Sequence, residues 1–250
     1  MSDEEPQTRV PSRWAAAFQV LICCGQIPTQ TSIAALLMVI GVTPELNGQV
    51  TLRFFAALTL LDTVVVIALM RLFLTDGGES PKRVFFGPRE RAHGPYNLER
   101  ETGLGIIFTP IVLVGALGVV ALLKVFIPVL HNVPVSPFES YFDTPLRALA
   151  FTVVAMVAGG VREELQRGFL LHRFDQRLGG MKAGLAIYSI VFGVAHYTQG
   201  WDVAIATGLL GLFWGYLYMK RRSVVASMVS HAGFNGTQVL QQMVVKILIR

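Results

Sequence analysis

Charge is scarce in this chain. Asp, Glu, Lys and Arg make up 15% of its 250 residues, where soluble domains carry about 25%. That excludes an ordinary soluble domain. Cysteine is nearly absent, and the only two, Cys23 and Cys24, are adjacent in an apolar run. Neighbouring cysteines rarely pair and show no zinc-motif spacing, so a disulfide framework and a cysteine zinc site are excluded. Both read as small buried hydrophobes. The first residues, MSDEEPQTRVPSR, are acidic and polar. They lack a basic stretch leading into a short apolar one, so no cleaved signal peptide is expected. Inverted repeats of the transporter kind are not seen either.

Long apolar runs are what the chain has instead. Its residues are 53% hydrophobic, with a mean hydropathy of +0.55. Crossing a bilayer takes about 20 apolar residues per helix. The fold class is therefore all-α: a polytopic transmembrane bundle of about seven to eight helices. Seven spans are expected, over about 14–42, 50–74, 103–130, 146–160, 181–197, 203–219 and 223–249. The first is interrupted by GQIPTQTS, where Pro28 predicts a kink or a broken helix. The fourth is expected to continue through VREELQRG.

The organisation follows: a polar tail over 1–13, N-terminal membrane helices over 14–145 with a basic loop at 75–102, and a membrane core over 146–250. Lys82, Arg83, Arg89, Arg91 and Arg100 fill the second loop, and Lys220, Arg221 and Arg222 the last turn. The alternate connections carry no Lys or Arg between their spans. By the positive-inside rule the N-terminus is cytoplasmic and the C-terminus outside, in the cell (inner) membrane. Membrane lipids are thus expected partners, with the basic loop on anionic head groups. The pI near 9.5 has this explanation and implies no nucleic acid.

An ionisable group inside a span costs about 2.5–3.5 kcal/mol and normally faces a cavity or a partner. Such groups are Asp62, Glu163, Glu164, Arg167, His196 and His231, with Asn235 as a polar companion. Glu163 and Arg167 are four apart and share a helix face, and Glu164 is three from Arg167. His231 and Asn235 are also four apart. At about 1.5 Å per residue, His231, Glu163 and His196 lie roughly 12, 15 and 22 Å from the basic ends of their helices. Convergence then needs tilt, a sunken cavity or an uneven fifth helix.

Together these groups permit water activation. A desolvated glutamate works as a general base, and Arg167 fixes the other as a structural anion. Imidazole and amide groups stabilise an oxyanion. The same glutamate and two histidines also form a zinc ligand set with a position left for water. Asp62 pairs within the bundle, with Thr29 or Gln30 as candidates. Arg162 reads as a flanking cytoplasmic charge. His172 and Arg173 read as interfacial and snorkelling, and Trp201 beside Tyr197 as an outer anchor. In GLFWG, Gly211 and Gly215 have the spacing of close helix packing.

Three segments, Glu163-Glu164-Leu165-Gln166-Arg167, Phe192-Gly193-Val194-Ala195-His196 and His231-Ala232-Gly233-Phe234-Asn235, resemble the motifs of the CPBP family of intramembrane proteases. That family includes the type II CAAX prenyl endopeptidases and Abi proteins. The resemblance covers about 146–240 and implies a glutamic endopeptidase without a metal cofactor, zinc being the alternative. It implies Glu163 as the water-activating base, Glu164 and Arg167 as its support, and His196, His231 and Asn235 as ligands of the water or oxyanion. The substrate would be a peptide or a membrane protein. One departure bears on the register. The family places three residues between the glutamate pair and the arginine, and this chain places two. Aligned on Arg167, the first family glutamate falls on Arg162 and the second on Glu163; aligned on the glutamates, Arg167 comes one step early. Glu163 is expected as the base, with a variant site or Glu164 as the base as the alternatives. The rival reading is a non-catalytic membrane scaffold, immunity or transporter-associated protein that keeps the polar cluster for packing.

Overall fold

Helices α1 (Arg13–Cys24) and α2 (Ile27–Val39) are one apolar segment bent by 43° at Gly25 and Gln26. Pro28 sits in the first turn of α2. Its ring would clash with the Cys24 carbonyl in a continuous helix, and it has no N–H to give. The expected break is there. The structure is a computed structural model that describes residues 9–46, 48–87 and 97–248. The first eight residues of the polar tail and Arg89 and Arg91 of the basic loop lie outside the described residues.

A two-residue-per-strand hairpin, β1 (Glu45–Leu46) and β2 (Gln49–Val50), leads into α3 (Leu52–Asp76). Then come α4 (Pro81–Phe86), α5 (Leu98–Phe126), α6 (Pro145–Ala155), a π-helical stretch (Met156–Glu163) and α7 (Glu164–Arg177). Last are α8 (Met181–Val194), α9 (Trp201–Arg221) and α10 (Val225–Leu248). All seven expected segments are helical. Among the described residues, α3, α5, the continuous 145–177 helix and α9 are long and apolar enough to span a membrane, and the bent α1–α2 pair makes a fifth. The fifth expected segment is shorter than its sequence suggested, because α8 stops at Val194. The fourth does run on through VREELQRG.

Helix α7 lies at the centre. Residues 162–171 are buried on every face, packed by α1, α4, α8 and α9. Its polar groups therefore need partners from other helices. The break after α1 leaves end carbonyls free, and Gln166 Nε2 donates to one of them, Cys23 O, at 2.6 Å. The glycine spacing in α9 serves the same packing. A side chain on Gly211 would touch Phe192, and one on Gly215 would overlap Leu185 and approach Arg167. Outside, apolar side chains such as Val64, Ile106, Val114 and Ile190 are exposed, as a lipid-facing belt requires.

The connections gather at two opposite ends. At one end, Arg177 Nε donates to Pro11 O (2.9 Å), Arg221 pairs with Glu101 (2.6 Å) and Arg222 with Asp175 (3.3 Å). At the other, Tyr141 donates to Val50 O (2.7 Å), His131 Nδ1 meets Asp202 (2.8 Å), and Tyr197 and Trp201 sit side by side, exposed.

One reading of the basic end is corrected. Arg173 does not snorkel. It is fully buried, bound to Glu79, to Gln176 (2.8 Å) and to Gln19 (2.7 Å). The α3–α4 turn brings Glu79 over α7, which no local pattern signals. Burial alone would raise the Glu79 pKa, but hydrogen bonds from His172 and Arg173 outweigh it and hold the carboxyl down at about 2. A depressed carboxyl contributes stability above its unfolded pKa, near 4.3, and loses it as pH falls towards the folded value. In thermal unfolding, Glu79→Gln is therefore expected to cost stability at pH 7, and the gap to the parent should close between about pH 4.5 and 2. A gap that stays constant with pH would contradict this role.

Candidate active site

The π-helical stretch Met156–Glu163 brings Glu163 and, one residue on, Glu164 to the bundle centre, and within the 145–177 helix it is the part packed most against α10. Wide turns of this kind are rare and often mark functional sites. The close approach depends on two glycines. A Cβ on Gly159 would lie 2.3 Å from Asn235 Nδ2 and 2.8 Å from His231 Nε2, and one on Gly160 would lie 2.6 Å from Ala232 Cβ and 3.1 Å from Met228 O. The two positions should behave differently. Gly159→Ala meets side-chain tips and is expected to dislodge Asn235 and His231 while the fold survives. Gly160→Ala meets helix backbone and should lower stability by about 1–3 kcal/mol. Thermal unfolding of both variants, with peptide cleavage in parallel, checks the contrast.

The two adjacent glutamates face different surroundings. Glu164 is 1% exposed and paired with Arg167, and it accepts from His231 Nδ1 at 2.8 Å. Arg167 is itself fully buried, its guanidinium 5.1 Å from the Tyr188 and Phe192 rings and 5.7 Å from Trp214. Such a cage favours a cation through the ring faces. Glu163 instead reaches a cavity of about 420 Å³. Its Oε2 stands 3.8 Å from His231 Nε2, and its Oε1 3.5 Å from Arg162.

The cavity is lined by Glu163, His196, His231 and Asn235, with Phe192 and Trp214 between them. Four of the six residues that the resemblance assigns to the site thus line this cavity, and Glu164 and Arg167 stand behind it. One cavity reaches all three depths expected for these residues. Helix α8 ends at Val194, so His196 sits just beyond its last turn, where Nδ1 donates to Phe192 O at 2.8 Å. The His196 ring packs edge-on against Phe192, 4.9 Å between centroids. His231 stacks on Trp214 at 3.8 Å, and the indole N–H is satisfied by Ser230 at 3.2 Å. Asn235 Nδ2 donates to Ala155 O at 2.9 Å, leaving a second amide hydrogen.

Arg162 is not a flanking cytoplasmic charge. It is 5% exposed and bonds Asp62 at 2.9 Å. Asp62, fully buried at the middle of α3, also accepts from Gln30 at 3.4 Å, the partner expected from the polar break. The long-range pairing of Arg162 with Asp62, a hundred residues apart, left no signal in the sequence. Trp214 was visible only as part of a packing motif, and the contribution of Tyr188 was not visible at all.

Among the described residues, no three His, Cys, Asp or Glu side chains are grouped so as to hold an ion. Glu164 and His231 Nδ1 are taken up by each other. His231 therefore turns Nε2, not Nδ1, towards Glu163, 3.8 Å from its Oε2.

Residues 145–237, from the start of α6 into α10, match the family described as type II CAAX prenyl endopeptidase Rce1-like. The match contains all three motifs. Searches of curated proteins and of solved structures gave no significant match.

Proposed function

We propose, on the premise that residues 145–237 belong to the Rce1-like family of membrane-embedded CAAX-type proteases, that this chain is an intramembrane endopeptidase working through glutamate-activated water. One observation carries the reading: Glu163 is the only carboxylate among the described residues of the cavity wall, and both histidines and Asn235 share that wall. Glu163 takes a proton from water. His196 and His231 both have Nδ1 committed to an acceptor, which leaves Nε2 as the second contact of each ring; the Nε2 of one of them, His231 beside Glu163, accepts the second hydrogen of that water. The hydroxide oxygen bonds to the peptide carbonyl carbon. The free N–H of Asn235 meets the oxyanion. As the C–N bond breaks, the proton held on Glu163 passes to the leaving amine, which balances the step. Glu164 and Arg167 touch neither water nor substrate in this scheme. They fix the ring of His231.

The test uses the purified chain in lipid nanodiscs with a library of quenched fluorescent peptides. Cleavage that persists with chelators, in protein free of stoichiometric metal, is the expected result. Bound zinc that is lost with His196→Ala or His231→Ala, and activity restored by added zinc, would overturn the glutamic scheme.

A further inference from the structure

The active-site cavity has a direction. Its wall starts at the bundle centre with Glu163, Trp214 and His231 and runs on to the first turn of α3 (Phe55), the C-terminal part of α5 (Ala116, Val120), the 127–144 connection (Val133, Phe138), the start of α9 (Val203) and the second half of α10 (Gln238, Gln242). From the centre outwards it leads only to the end of the bundle away from the basic one. No described residue of 77–101, 165–182 or 218–226 takes part. Among residues whose side chains are described, Lys82, Arg83, Arg100, Arg177, Lys182 and Lys220–Arg222 stand at the closed end, and only Arg53, Lys124 and Arg147 at the open one. The open end also carries Glu45, Glu139, Asp143 and Asp202. Lys and Arg next to spans mark the cytoplasmic side.

We infer that the site opens to the extracytoplasmic face, and that its substrate is an uncharged, extended peptide segment on that side, next to the membrane. The inference rests on the endopeptidase reading for its chemistry and on charge asymmetry for its side. The chemistry of the mouth fits such a segment. Phe55, Phe138, Phe142 and Phe151 form an apolar wall there, their rings 5.2–5.8 Å apart where they pack. Facing them are Gln199, Gln238, Gln241 and Gln242. A carboxamide offers both a donor and an acceptor, as a peptide backbone does. Neither Lys nor Arg lines the cavity among the described residues, so nothing there neutralises a terminal carboxylate. An internal peptide bond near the membrane suits the site better than a free, cytoplasmic C-terminal tail.

Two measurements test side and substrate separately. Gln242→Cys and Lys220→Cys, each with both native cysteines replaced by Ala, are probed with a membrane-impermeant maleimide in intact cells and in inverted vesicles. Gln242→Cys should react in intact cells and Lys220→Cys only in inverted vesicles. The reverse pattern overturns the sidedness whether or not the chain cuts peptides. Next, two single-span reporters present the same randomised apolar juxtamembrane library, one outside and one in the cytoplasm. Cutting only of the outer reporter, abolished by Glu163→Gln, is expected. Cutting only of the cytoplasmic reporter overturns the substrate proposal alone. Cutting of neither, with the labelling as expected, overturns the endopeptidase reading and the substrate proposal together and leaves the sidedness standing.

Discussion

Glu163→Ala is expected to abolish peptide cleavage while the protein stays folded. Loss of a general base costs about 10²–10⁴-fold in rate. Folding should survive because the Glu163 carboxylate borders the cavity and makes only long contacts, 3.5 Å to Arg162 and 3.8 Å to His231. The neighbouring change should differ in kind. Glu164→Ala strands Arg167 in its aromatic cage and frees His231 Nδ1, so stability should fall, and activity should fall in proportion to the folded fraction and to the looser His231 ring. The measurement is initial rate per folded molecule, with thermal unfolding of the same preparations. If Glu163→Ala keeps full rate and Glu164→Ala is folded but dead, the base is Glu164 and the motif aligns differently. If both keep full rate, neither glutamate is the base, the cluster is structural, and the glutamate-activated scheme fails; a parent chain that cuts no peptide at all is the result that favours a non-catalytic membrane protein.

The second large effect concerns Asp62 and Arg162. Both are buried, and they bond each other at 2.9 Å. Removing one partner of a buried pair leaves the other as an uncompensated charge, at about 3–5 kcal/mol. Asp62→Leu alone and Arg162→Met alone should therefore lower the unfolding temperature by on the order of 10 °C. Replacing both at once removes both desolvation costs, so the double variant is expected to recover most of that loss. Arg162 also stands next to Glu163, so the double variant separates two roles. Recovered stability with a reduced rate makes Arg162 a positioning residue for the glutamate. Recovered stability with the parent rate makes the pair purely structural. Failure of the double variant to recover would mean that the two charges are not each other's main partner.

The sequence alone determined what depends on local composition and spacing. Apolar runs longer than a bilayer dictate helices, because backbone groups in lipid must be satisfied within the segment. Pro28 dictated the break between α1 and α2. The cost of stranded polar groups picked out Glu163, Glu164, Arg167, His196, His231 and Asn235, since intramembrane positions tolerate them only for a purpose. The i to i+4 spacing placed Asn235 beside His231. What helix periodicity cannot say is which neighbour each face meets. It did not tell that Arg162 turns inward to Asp62, that Arg173 is buried on Glu79, or that Trp214 stacks on His231, for each contact joins segments far apart in the chain. The division of labour between the two glutamates was left open for the same reason. Adjacent residues on a helix point about 100° apart, and only the packing of α10 against Gly159 and Gly160 decided that Glu163 meets the cavity while Glu164 meets Arg167.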